Sequence, residues 1–112
     1  HYKAEEKRRM EPVILALHRS NNLEGENLYL RDLIKNGLSE GRWMELEKGL
    51  KEFLRIRRSR EVEAAARFYL GQSLYFQGRI REAFFEFLLA DLLYVETQPW
   101  INRILEDLSS GN

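Results

Sequence analysis

The sequence predicts an all-α fold of stacked antiparallel helical hairpins with flanking N- and C-terminal helices. Three observations carry this. No stretch sustains the alternation of apolar and polar residues that a strand requires. The chain is rich in Leu, Ala, Glu and Arg and contains two prolines, a composition that favours helix. Apolar residues also recur at helical spacing, in segments separated by short breaks containing Gly or Pro.

Met10, Val13, Ile14 and Leu17 fall at helical spacing, so an N-terminal helix is expected over residues 10–20, with Pro12 in its first turn or at a kink. The charged residues before it, Lys7, Arg8 and Arg9, are expected to pair with Glu5 and Glu6 or to face water. The stretch SNNLEG ends that helix. A second helix is expected over 26–39 with Leu30, Leu33 and Ile34 on one face, and Glu40 and Gly41 then make a turn. Trp43, Leu46, Leu50, Phe53 and Leu54 form the buried stripe of a third helix.

The third helix runs into RIRRSR, residues 55–60. Arg55, Arg57 and Arg58 there complement the negative end of the helix dipole. RNA or another anionic surface is the alternative use of this run, and the lack of interleaved aromatic residues argues against it. A fourth helix over 60–76 and a fifth over 79–96 are separated by Gln77 and Gly78. The pentapeptide LYFQG at 74–78 matches a protease site used in expression linkers, but it joins two apolar helices where such a linker would be exposed and flexible. Thr97, Gln98 and Pro99 stop the fifth helix and open a last one over 98–109, with Trp100, Ile101, Ile104, Leu105 and Leu108 on its apolar face. It is expected to cap the domain, and SSGN to form a frayed tail.

An internal period follows from these elements. Leu33 and Leu70, Gly41 and Gly78, Leu46 and Ala83, Leu50 and Phe87, and Phe53 and Ala90 each lie 37 residues apart. In the second unit, Leu70, Gly71, Gly78, Ala83, Phe87 and Ala90 follow in order the Leu-Gly, small and aromatic positions of the tetratricopeptide repeat, which this chain resembles. The resemblance divides the single domain, residues 1–112, into an N-terminal helix (10–20), a degenerate first repeat (27–63), a second repeat (64–96) and a capping helix (98–109). Arg67 and Leu74 stand where the family favours a large apolar residue and tyrosine. Small residues at 71, 83 and 90 let two antiparallel helices approach closely around Leu70, Leu74 and Phe87. Added carbons in such a contact cost about 1 to 3 kcal/mol, so Ala83→Leu is expected to lower the melting temperature; an unchanged thermal transition would take Ala83 out of the interhelical contact.

The resemblance implies a scaffold that binds proteins through a concave groove. Matched to this sequence, the groove falls to Arg31 and Lys35 in the first unit and to Phe68, Gln72 and Tyr75 in the second. Phe68 and Tyr69 occupy positions where carboxylate-clamping members carry polar donors. In addition, Phe68, Tyr75, Phe76, Phe84, Phe85, Leu88, Leu89 and Leu92 are more apolar surface than one hairpin can bury. Phe84, Phe85, Leu88 and Leu92 therefore form a second candidate interface, covered by flanking helices, a neighbouring repeat, a second copy or a partner. Bacterial members of the family, which this chain resembles in style, serve as assembly factors in envelope and motility complexes; the compartment stays open between cytoplasm and periplasm.

Other functions find little support in the residues. Lysine plus arginine equal aspartate plus glutamate at 18 each, so no global field draws nucleic acid. The chain has no cysteine, which removes thiolate metal sites, disulfides and thiol nucleophiles. Its longest apolar run, AFFEFLLADLLYV, is shorter than the roughly 20 residues needed to span a bilayer. Glu82 and Glu86 are spaced as a carboxylate pair, but Arg79 lies beside them and they form the polar stripe of their helix. His18 lacks a second ligand for a metal site, and Ser20 belongs to a helix end. No catalytic residue, cofactor or small-molecule substrate is expected. A protein or peptide partner is, with homo-oligomerisation through the fourth and fifth helices as the alternative.

Overall fold

The computed structural model describes residues 9–110; the readings placed on Glu5, Glu6, Lys7, Arg8 and the last two residues of the tail fall outside that range. The helices are α1 (Gly25–Glu40), α2 (Trp43–Phe53), α3 (Arg60–Phe76), α4 (Ile80–Asp91) and α5 (Gln98–Ser110), with 3-10 turns at Ala16–Arg19 and Val95–Thr97. Among the described residues there is no strand, and the class is all-α. Each helix packs on its neighbour in the chain, and α1 also reaches α3.

The two helical turns have the same construction. α1 ends on Gly41 at φ 68° and α3 is followed by Gly78 at φ 82°, left-handed conformations that glycine adopts without a Cβ penalty. Arg42 then donates its N–H to Gly37 O and Arg79 donates to Leu74 O, each at 3.0 Å. The two arginines share backbone angles, φ −86° and ψ 67° against φ −91° and ψ 68°. One turn thus recurs at the 37-residue spacing found in the sequence. The α3 start is set separately: the Ser59 hydroxyl accepts from Val62 N at 3.2 Å, and Glu61 and Glu63 complement the first turn.

Inside the α3–α4 hairpin, Gly71, Ala83 and Ala90 are buried with Leu70, Leu74 and Phe87. Gly71 faces the Phe87 ring so closely that a Cβ would lie 2.8 Å from it. Between α1 and α2 the small residues are Gly37, whose Cβ would lie 3.1 Å from that of Leu46, and Gly49, whose Cβ would lie 2.8 Å from Leu33 Cδ1. α5 closes the far side of α4 through Trp100, Ile101 and Ile104, all buried. Trp100 stacks on Phe87 at 5.4 Å and meets Tyr75 and Phe76 edge-on at 5.4 and 5.7 Å, while Phe76 stacks on Trp43 at 4.6 Å.

Two elements differ from expectation. Residues 10–20 do not form a helix: 9–15 run extended and only Ala16–Arg19 make a 3-10 turn. Glu11 precedes a proline, which pushes it out of the helical region, and Val13 and Ile14 are β-branched and stiff at χ1. The fifth predicted helix, 79–96, stops at Asp91. Leu93 and Tyr94 both close their N–H groups on Ala90 O. The Asp91 carboxylate accepts from the Thr97 hydroxyl and the Gln98 amide, which tethers the end of α4 to the start of α5.

Candidate interaction surfaces

The segment 9–18, extended up to Leu15 and then turning at Ala16–Arg19, lies over the face assigned to an open groove, antiparallel to α3. Gln72, wholly buried, holds one residue of it at both ends: its Oε1 accepts from Val13 N at 2.8 Å and its Nε2 donates to Val13 O at 2.9 Å. Further along, the Tyr69 hydroxyl accepts from Leu15 N at 3.0 Å. The same hydroxyl lies 2.6 Å from His18 Nδ1, and His18 Nε2 is 3.1 Å from Asn27 Oδ1 on α1. With Nε2 donating to Asn27, Nδ1 is left to accept from Tyr69, so the neutral imidazole satisfies every partner. His18 is 1% exposed. Burial lowers its pKa most, the bond to Asn27 works in the opposite direction, and Arg31 lowers it again. Burial likewise pushes the Tyr69 hydroxyl well above the ordinary tyrosine value.

Of the five residues assigned to the groove, Phe68 and Gln72 are therefore buried rather than open to a partner, which corrects the expectation. Phe68 sits in the core between Tyr69 and Phe87. Tyr75 is half-buried in the ring cluster with Phe76 and Trp100. Arg31 pairs with Asp32 at 3.1 Å and donates to Ser20 O at 3.5 Å, at the end of the extended segment. Lys35 is exposed. The sequence reading missed Val13, Leu15, Tyr69 and the hydrogen-bonding use of His18. The one signal was the uncharged run PVILAL, which opens on a proline.

The second surface is a ridge on α4. Phe84 is half-buried, while Phe85, Leu88 and Leu92 are 65%, 41% and 77% exposed. Leu89, Leu93 and Val95 extend it, at 49%, 39% and 74%. Positions 85, 88, 89 and 92 share one helical face. Beside the ridge, a hollow of about 250 Å³ opens between Arg60 and Ala64 of α3 and Leu89 and Leu93 at the end of α4. Tyr75 and Phe76, in contrast, are covered from within the chain by α5 and Trp43.

Several charged groups are tied into ion pairs and hydrogen bonds. Glu82 is held by Arg79 at 2.8 Å and Glu86 by Arg67 at 2.9 Å, so the two carboxylates form separate ion pairs. Arg79 also reaches Glu47 of α2 at 2.8 Å, joined there by Lys51 and Gln77. Burial opposes ionisation of Glu47, but these three donors hold its pKa down to about 2, tying α2 to the α3–α4 turn. In the basic run, Arg58 lies 3.7 Å from the Phe53 ring centre, donates to Phe53 O at 2.9 Å and pairs with Glu26 at 3.0 Å. Arg55 pairs with Glu52 at 3.2 Å.

Among the described residues no helix is long and apolar enough to cross a membrane, and no group of three or more His, Asp or Glu side chains is placed to hold a metal ion. No protein-family model, curated protein or solved structure matches the chain.

Proposed function

We propose that this chain is a protein-interaction module of tetratricopeptide-like design that presents the α4 ridge to a partner protein within a larger assembly. The observation that carries the reading is the exposure of Phe85, Leu88, Leu89 and Leu92 on one face of one helix. Scattered apolar residues on a surface need no explanation, whereas a contiguous row of them marks an interaction site. The neighbouring hollow offers a seat for an anchoring side chain of the kind that dominates binding energy. The recurring helix-turn geometry and the resemblance of residues 64–96 to the repeat family supply the scaffold part of the reading. The ion pairs that engage Glu47, Glu82 and Glu86 favour binding over catalysis.

The test is a double variant, Phe85→Ser with Leu92→Ser. Both side chains are largely exposed, so the expected change in stability is within about 0.5 kcal/mol, while retention of the partner from extracts of the source cells is lost. Loss of binding with an unchanged melting temperature supports the reading; undiminished binding rejects it. Self-association through the same ridge is separated by light scattering, where a mass of twice the chain, reverting to one chain in the double variant, assigns the ridge to a homodimer.

A further inference from the structure

The covered face of α1 and α3 is a second, independent surface, and it does not depend on the ridge. Its occupant is the chain itself. Gln72 grips the backbone of Val13 rather than its side chain, and Tyr69 takes the next available amide, that of Leu15. Such contacts read an extended backbone and leave side-chain preference to the apolar wall on which Met10, Val13 and Ile14 pack. The run PVILAL carries no charge over six residues. At one end an open hollow of about 540 Å³ lies between Pro12 and the rings of Trp43, Tyr75 and Phe76, with the charged Arg9, Glu11 and Arg103 also on its wall.

The segment is fastened at its other end through His18. Leu15 N–H, the Tyr69 hydroxyl, the His18 ring and Asn27 form one chain of hydrogen bonds. Only the neutral ring closes it, because a proton on Nδ1 would leave Tyr69 facing two donors with no acceptor for its own proton. The charged and titratable groups around this chain are Arg31 of α1, which repels an imidazolium, and, facing Tyr69, Arg19, Tyr94 and Glu96. No carboxylate bonds to the ring. We propose that residues 10–18 are a strap latched by neutral His18 over a binding face for an extended, uncharged aliphatic segment of another protein, and that protonating His18 releases the strap and opens that face.

The direction in pH follows from linkage. The folded state holds His18 below its ordinary value of 6.5, so the latch is at full strength above that value and weakens as the pH falls through and below it. Glu47, with a pKa near 2, stays ionised throughout, so the tie between α2 and the α3–α4 turn persists while the strap opens.

The test uses the full chain. Protection factors for the Val13 and Leu15 amides are measured by hydrogen exchange at about pH 7.5 and about pH 5, either side of the ordinary histidine range, with the Ile34 and Phe87 amides as core references. A fluorescent peptide of residues 12–17, PVILAL, is titrated at both values. Protection of Val13 and Leu15 is expected to fall more than about tenfold in acid while the core references hold. The peptide is expected to bind at least about tenfold more tightly in acid, and His18→Gln to abolish both responses. Should that variant not fold, the imidazole titration of the wild type, followed by NMR against the same amides, decides. Protection that is unchanged by pH, that falls together with the core, or that keeps its pH response in His18→Gln overturns the latch. A strap that opens without binding the peptide overturns the binding face.

Discussion

Trp100→Ala is expected to be among the most damaging single substitutions in this chain, lowering stability by about 3 to 5 kcal/mol and the melting temperature by roughly 10 to 25 °C. Trp100 is 1% exposed and touches rings from two other helices: Phe87 of α4 face to face, and Tyr75 and Phe76 of α3 edge to face. Truncation removes the largest buried side chain and leaves a cavity bounded by rigid rings, which collapse poorly. The loss approaches a large share of the roughly 5 to 15 kcal/mol that holds a domain of this kind folded. Trp100→Phe should recover more than half of the loss, since a smaller ring keeps the stack on Phe87. Thermal unfolding followed by circular dichroism reads both. A shift under about 3 °C for the alanine variant would mean that α5 is not part of the cooperative unit.

Much of the helical architecture was legible because its signals are local. Arg60–Phe76 is the helix expected at 60–76, and Gly25–Glu40 extends the expected 26–39 by one residue at each end; glycines, a serine cap and a periodic apolar stripe mark those ends without help from the rest of the chain. Two things were not legible. The segment 10–20 carries spacing compatible with helix and with an extended chain, and the choice is made by partners 54 and 59 residues away, Tyr69 and Gln72. The end of α4 is decided by Asp91 bonding to Thr97 and Gln98, side-chain geometry that no periodicity encodes. The same nonlocal choice hid a surface: Gln72 was readable as lining a groove, but not that the groove holds the chain's own backbone. On the ridge, by contrast, Phe85, Leu88 and Leu92 were legible because a hairpin presents more apolar positions than it has facing partners.

The close approach inside the α3–α4 hairpin is testable at Gly71. In α3–α4 the packing volume is divided unequally, none at Gly71 and a full ring at Phe87; 37 residues earlier the corresponding positions hold Ile34 and Leu50, both wholly buried. Gly71→Ala sets two effects against each other. Alanine gains about 1 kcal/mol of helix propensity over glycine, but its Cβ would meet three Phe87 ring atoms at 2.8 to 2.9 Å. That ring cannot swing away, because Trp100 stacks on it at 5.4 Å and Phe68 meets its edge at 6.0 Å. Overpacking of about 1 to 3 kcal/mol therefore wins, and Gly71→Ala is expected to lower the melting temperature. Gly71→Ile should be far worse alone, and the double variant Gly71→Ile with Phe87→Leu removes the ring that the new side chain would meet. It is expected to recover at least about 1 kcal/mol relative to additivity. A Gly71→Ala chain that melts higher than wild type would show that helix propensity governs position 71 and that the Phe87 ring has room to yield.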